Sequence, residues 1–235
     1  MEQRVGDPVP DWTPRPKPTA SVLTGEFCRL ERLDARRHAA DLFAANSLDS
    51  EGCGWTYLPY GPFADIESYR RWLEQAAGRE DPRFYAIIDT DARARGAADE
   101  AAVGLLSLMR FKPDAGSIEV GHIRLSPLLQ RRRGATEAQL LLMRYVFDEL
   151  GYRRYEWKCD ALNARSRAAA ERLGFRYEGT FRQAQVVKGR NRDTAWYSML
   201  DSEWPRVAAA GRAWLAAENF DPQGRQRSAL HARQA

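Results

Sequence analysis

Cysteine is scarce in this chain of 235 residues: only Cys28, Cys53 and Cys159 occur, odd in number and far apart. That argues against a disulfide framework or a thiolate zinc site and points to a reducing cytoplasm. Histidine is equally rare. His38, His122 and His231 are too scattered for a metal cluster, so no metal is expected. No apolar run approaches the roughly 18–20 residues of a membrane span, and the N-terminus lacks the apolar segment of a secretory signal, so no membrane partner is expected. Internal repeats are missing, and so is any basic tract interleaved with aromatics. With a net charge of +4 and a pI of about 9.1, the arginines read as a solvated basic surface with one local anion site. Nucleic acid is not an expected partner.

What is present suits one well-packed α/β domain: 44% hydrophobic and 11% aromatic residues, in a length that does not require two cores. Residues 1–20 hold five prolines and read as an extended arm; 21–217 read as the domain; 218–235 lack a pattern and read as a flexible tail. Strands are expected over Glu26–Leu33, Arg83–Ile88, Ala102–Phe111, Ser117–Leu125 and Tyr155–Cys159, with a closing antiparallel pair over Phe175–Phe181 and Thr194–Leu200. Asp34 and Asp65 are of the type that caps helices, here Ala35–Asn46 and Ile66–Ala77. Further helices are expected over Thr136–Leu150, closed by Gly151, over Ser166–Leu173, closed by Gly174, and over Ala208–Ala217. The polar, Ala/Gly-rich stretch Asp91–Glu100 reads as a hairpin loop. Successive strands with short links, then alternating helix and strand, imply a mixed sheet with helices on it.

The most informative stretch is Ser117–Thr136, SIEVGHIRLSPLLQRRRGAT: a strand, an arginine- and glycine-rich turn, then a helix start. Unsatisfied N–H groups and the positive end of the dipole make a helix N-terminus an anion site. Arg131, Arg132 and Arg133 add charge there, and Gly134 lacks the Cβ that would keep a phosphate off the backbone. Within the strand the apolar face changes side: Ile118 and Val120 fall in one parity, Ile123 and Leu125 in the other. A bulge near Gly121 would reconcile them.

The run Arg131-Arg-Arg-Gly134-Ala-Thr136, then the strand at Tyr155–Cys159, then Asn163-Ala-Arg-Ser166 and Leu173-Gly174-Phe175, resembles the GNAT N-acyltransferases, and within them the RimJ/RimL-like branch that acetylates ribosomal-protein N-termini. Thr136 stands where that family has Gly or Ala. The resemblance covers Glu26–Trp204 and is most specific from Glu119 to Arg182. It implies a single GNAT domain: a mixed, mostly antiparallel central sheet whose fourth and fifth strands splay apart, with flanking helices. It implies acetyl-CoA as co-substrate, with pyrophosphate at Arg131, Arg132, Arg133, Gly134, Ala135 and Thr136. Its pantetheine would lie along the main chain of Ile123, Arg124 and Leu125, with Asn163 and Ser166 nearby.

Acyl transfer to an amine needs an oxyanion donor, a route for the amine proton and help for the leaving thiolate. By resemblance, Glu119 is the first choice of base, through water, with His122 the other polar group near the reaction centre. Many GNAT proteins place a tyrosine at the position of Ala170 as the thiolate's proton donor. Here it is absent, and Ser166, which the ribosomal-protein branch shares, is the candidate instead. Asn163 and Ser166 also fit a plain helix start, and Cys159 a plain strand residue. The aromatic stretch Gly52–Phe63 reads either as a loop anchored by its rings or as a wall of the acceptor pocket through Trp55, Tyr57 and Tyr60. The expected partners are acyl-CoA and a primary amine, with a homodimer expected because related proteins often pair. Transfer of a larger acyl group such as succinyl, and a non-catalytic CoA- or RNA-binding module, stay open as alternatives.

Overall fold

The computed structural model describes residues 3–91 and 100–230. The expected hairpin loop at 91–100 therefore lies almost wholly outside the described residues. Among the described residues eight strands form one sheet: β1 (Val22–Thr24), β2 (Cys28–Arg32), β3 (Arg83–Asp89), β4 (Ala101–Lys112), β5 (Ser117–Leu125), β6 (Arg154–Asp160), β7 (Arg176–Val187) and β8 (Arg190–Leu200). They run in the order β1-β2-β3-β4-β5-β6-β8-β7. Among the described residues only the β5–β6 pair is parallel. A parallel pair needs a crossover, here α3 (Arg133–Arg144), which continues through a π-helical turn at Tyr145–Glu149. The other helices are α1 (Ala35–Ser47), α2 (Ile66–Ala77), α4 (Ala164–Arg172) and α5 (Trp204–Leu215).

The helix starts follow from side-chain chemistry. The Asp34 carboxylate accepts from the amides of Arg36 and Arg37, that of Asp65 from Ser68, and the Asn163 amide oxygen from Ser166. Each satisfies a donor that the helix cannot. The start of α3 has no such group. It begins at Arg133, three residues before the expected Thr136, with Arg132 at the N-cap position making no side-chain capping bond.

Two cores pack on opposite faces of the sheet. β3, buried throughout, shows the division: Tyr85 and Ile87 join the core under α3 and α5, whereas Phe84, Ala86 and Ile88 join the smaller, aromatic-rich core under α1 and α2. On the crossover helix and its π-helical turn, Ala138, Leu141, Leu142, Tyr145 and Val146 lie in the first core.

Both terminal segments lie on the domain. The proline-rich arm is tied down: Trp12 Nε1 donates to the Asp114 carbonyl, and the Thr19 and Ala20 amides donate to the Tyr145 hydroxyl. The segment after α5 folds back instead of fraying. Asn219 donates to the Trp214 and Ser228 carbonyls, Gln226 accepts from Trp214 Nε1, and Leu230 is buried in the first core. The closing hairpin is also longer than its apolar pattern suggested. It turns at Lys188–Gly189, both at positive φ (49° and 72°), as a two-residue hairpin turn requires. Because β7 is solvent-exposed along most of its length, it carries no alternation for a sequence reading to detect.

Candidate active site

The site forms where β5 and β6 part. Their pairing runs from Ser117–Arg154 to Val120–Trp157 and stops, although both strands continue. β5 bulges at the same place. Gly121 pairs with Ser107 and Arg124 with Leu105, so β5 carries one residue more than β4, and His122 takes a left-handed φ of 52°. The bulge rotates the strand as its sequence required: Ile118 and Val120 lie in the first core and Ile123 and Leu125 pack against it. It also turns His122 towards the rings of Tyr60 and Phe84, on the face of the second core. Beyond Val120, no strand among the described residues pairs with β5 on its β6 side.

One side of the gap is the start of α3. Arg131 sits at φ 63°, and the side chains of Arg131 and Arg132 are exposed. Arg133 is not like them. Its guanidinium lies 4.0 Å from the Phe27 ring centre and 4.9 Å from that of Phe220, and it reaches Asp91 at 3.4 Å. Gly134 is closely packed: a Cβ there would stand 3.1 Å from the Phe27 carbonyl oxygen. Thr136 lies inside the first turn and is buried; its hydroxyl accepts from the Arg172 guanidinium at 3.1 and 3.2 Å, so it does not cap the helix. The carboxylate of Glu137, unnoticed in the sequence, accepts from three successive amides, Glu26, Phe27 and Cys28, at 2.7–2.8 Å. It fixes α3 to the entry of β2. The Leu125 carbonyl accepts from Arg124 Nη1 and from Gln130 Nε2.

On β6 and α4, Trp157 Nε1 donates to the Ser166 hydroxyl at 3.0 Å. Ser166 keeps its own proton to give. It is close enough to Cys159 to hydrogen-bond the thiol, whose pKa is nonetheless raised, chiefly by burial. Asn163 caps α4 through Ser166, so both plain helix-start roles hold.

The other side of the gap is aromatic. Trp55 is buried, edge-on to Tyr60, Phe63 and Tyr69, with the Arg124 guanidinium 4.6 Å from its ring centre. Arg124 is itself buried and pairs with Asp49 at 3.1 Å. Trp55 is therefore an anchor for its loop. Tyr57 donates to the Leu162 carbonyl, joining the loop to the start of α4. Lys188, at the hairpin tip, donates to the Trp55 carbonyl. Tyr60 stands 3.2 Å from His122 Nδ1. With Trp72, Phe84 and Arg79, these two residues line a cavity of about 160 Å³. Burial, then Arg110, Arg79 and Arg192, hold the His122 pKa down to about 4. The ring is neutral at pH 7.

Glu119 is brought near this cavity but not into contact with His122. One of its oxygens accepts from Arg110 at 2.6 Å and the other from Lys158 at 2.7 Å. The pairs extend through Glu156 and Arg154 to Glu178, across four strands. Proton removal by Glu119 would require one of these pairs to open. The sequence reading missed Arg79 and Arg192. Arg192 falls in the basic stretch Lys188–Arg192, and Arg79 lies just past the end of α2; neither stands out from the other arginines of the chain. Among the described residues no group of three or more His, Cys, Asp or Glu side chains could hold a metal, and no helix is long and apolar enough to cross a membrane.

Known proteins share the fold. Residues 29–176 match the family described as acetyltransferase (GNAT) domain. The "Putative ribosomal N-acetyltransferase YdaF" of Bacillus subtilis (strain 168) is 31% identical over 106 residues, which are 45% of this chain and 57% of that protein; the match thus spans little more than half of that relative. The crystal structure of a GCN5-related N-acetyltransferase from Brucella melitensis superposes with a TM-score of 0.89 at 51% identity, over 95% of this chain and 98% of that one. A GNAT-family protein from Chromobacterium violaceum, titled a probable acetyltransferase, gives 0.76 at 41% identity, over 87% and 98%. A family match over more than half of the chain, on a parallel pair that parts at a bulge beside a helix start, establishes that this chain belongs to the GNAT acetyltransferase family.

Proposed function

We propose that the chain transfers acetyl from acetyl-CoA to a primary amine, on a protein N-terminus or a small molecule, by direct attack. The observation that carries this reading is the gap between β5 and β6, bounded by an uncapped helix start on one side and the Ser166 hydroxyl on the other. The residues suit coenzyme A. The first amides of α3 lack a side-chain cap and lie beside two arginine side chains with no ion pair among the described residues, which fits a pyrophosphate. The backbone of Ile123 and the amide of Leu125, unpaired towards β6 among the described residues, fit an extended amide-bearing arm, while the Leu125 carbonyl is already taken by Arg124 and Gln130. Arg131, Arg132 and the amides of Gly134, Ala135 and Thr136 would hold the anion; Asn163 and Ser166 would flank the thioester, the group that supplies the activated acyl carbon.

In the transfer the amine nitrogen bonds to the carbonyl carbon as the carbon–sulfur bond breaks. Ser166, held by Trp157 and with a proton to give, steadies the leaving sulfur. His122 is neutral, and with Nδ1–H donating to Tyr60 its Nε2 has a lone pair for the amine proton, directly or through water. Glu119, tied to two cations, holds Lys158 and Arg110 in place and takes the proton only if a pair opens. Tyr57 and Tyr60 bound the acceptor side, and Trp55 anchors their loop. The YdaF name favours a protein N-terminus as acceptor.

The test is release of free thiol from acetyl-CoA against a panel of N-terminal peptides and small amines, with succinyl-CoA in parallel. Acetyl-CoA turnover that depends on the amine supports the reading. Faster turnover with succinyl-CoA moves the donor, and CoA binding without turnover of any amine leaves a binding module.

A further inference from the structure

We infer that the amine acceptor carries an acidic group close to its amine, and that Arg79 and Arg192 receive it. This rests on the acetyl-transfer reading above and names its substrate class. The argument starts from the charges around His122. Every charged group that acts on its ring is a guanidinium: Arg110 on β4, Arg79 after α2 and Arg192 on β8. Arg110 is committed to Glu119. The ladder to which it belongs balances, with Arg110, Lys158 and Arg154 against Glu119, Glu156 and Glu178. The surplus positive charge is therefore that of Arg79 and Arg192, neither of which makes an ion pair among the described residues.

Arg192 stands out further. It is half-buried, and its Nε is buried with no hydrogen-bond partner. A desolvated donor without a partner is unfavourable until something accepts from it. Arg192 also acts on Cys159, on β6 beyond the parting of the strands. It thus lies within electrostatic reach of both His122 and Cys159. Arg79 is on the wall of the aromatic cavity with His122.

An acceptor amine arrives as an ammonium ion, and two unpaired guanidinium groups repel it unless the same molecule brings negative charge. An acidic group satisfies both requirements. It pairs with the arginines, and the guanidinium charge then favours the neutral, nucleophilic form of the amine. The aromatic walls take the apolar remainder. The acid can come from a side chain at the second or third residue of a peptide, or from the carboxylate of a free amino acid.

The experiment compares kcat/KM for serine-led peptides with Asp or Glu at the second and third positions against the same peptides with Asn or Gln. A second arm compares free glutamate and aspartate with their amides. Both run on the parent and on the Arg79→Gln/Arg192→Gln double variant. We expect about a tenfold preference for the acid, roughly one well-placed charge pair, falling with salt and nearly lost in the double variant. The arm showing the preference identifies the source. Equal kcat/KM for acid and amide, or a preference that survives in the double variant, overturns the inference. If no amine is acetylated, the transfer reading has failed, and calorimetric titration of the CoA-loaded protein with the same acid and amide peptides decides the inference separately: equal affinities overturn it.

Discussion

The two sides of the gap are built differently. The α3 side comes from contiguous chain: a strand, a turn and a helix in Ser117–Arg144, with Trp157, Asn163 and Ser166 following soon after. The aromatic side is assembled from residues far apart. Tyr60 and His122 are separated by 62 positions, Asp49 and Arg124 by 75, and Trp55 and Lys188 by 133. The first presents backbone donors, which any sequence with that local fold supplies. The second presents side chains, which can vary while the fold stays. A cofactor common to a family belongs on the first kind of surface, and an acceptor particular to one protein on the second.

If that division is sound, damage to the two sides should separate. The largest effects are expected at the two buried anchors. Glu137→Ala removes the acceptor for three amides, two of them in buried contacts. Unpaired buried donors cost about 1–3 kcal/mol each, so chemical denaturation should show a loss of about 3 kcal/mol or more, together with weaker CoA binding. Arg124→Ala strands Asp49 and frees Trp55; breaking a buried pair costs about 3 kcal/mol. Its functional loss should appear in the KM for the amine, with CoA affinity near that of the parent. If Arg124→Ala weakens CoA as much as it weakens the amine, the two sides are one unit.

Ser166→Ala tests the chemistry on the α3 side. A hydrogen bond to the departing thiolate is made only in the transition state, so kcat should fall while the KM for acetyl-CoA holds. One bond to a charged group is worth about 1.5–3 kcal/mol, hence a loss of roughly 10- to 100-fold. The variant also leaves Trp157 Nε1 without its acceptor, so a lower melting temperature is expected alongside. Asn163→Ala is the control: it removes the α4 cap, about 1 kcal/mol of stability. A Ser166→Ala protein with the parent's kcat would reduce that residue to a support for Trp157.

The same contrast explains what could be read from the sequence. The parity change along Ser117–Leu125 called for a bulge because apolar side chains can share a core in only one way, and the bulge lies at His122, next to the expected Gly121. The caps at Asp34, Asp65 and Asn163 were legible because one side chain and the next few amides suffice. The start of α3 was misread because Arg132 is not a capping type. At Gly134 the sequence does not show a second constraint: a Cβ there would crowd the Phe27 carbonyl, over a hundred residues away. Arg79 and Arg192 could not be found at all: an arginine's value here depends on which carboxylates it fails to meet, and that is a property of the folded surface.

On the aromatic side, acid should reveal His122. An unfolded histidine takes up its proton near pH 6.5, the folded ring only near 4. Between these values the unfolded state binds more protons, so stability rises with pH across the interval and is lost as pH falls through it. A His122→Gln variant should lack this component: its melting temperature, plotted against pH, should be flatter than the parent's between about 6.5 and 4. Identical slopes would mean that the folded ring titrates where the unfolded one does, so that burial and the three arginines do not hold its proton affinity down.

The smallest effects should come from the arginine run, and they should be unequal. Arg131 is exposed, with no ion pair among the described residues, so Arg131→Gln should weaken CoA binding a few-fold, more at low salt than at high, and leave the melting temperature unchanged. Arg133 lies over Phe27 and Phe220 and reaches Asp91. Contacts of that kind are worth about 0.5–1 kcal/mol each. Arg133→Gln should therefore lower the melting temperature while CoA affinity changes less than in Arg131→Gln. Calorimetric titration with CoA at two salt concentrations, beside a thermal melt, reads both quantities for both variants. Equal loss of CoA affinity would return Arg133 to the anion site and make the loop a uniform patch of charge. Unequal loss would mean that only part of the run serves the anion, while Arg133 closes the fold around the helix start that the anion uses.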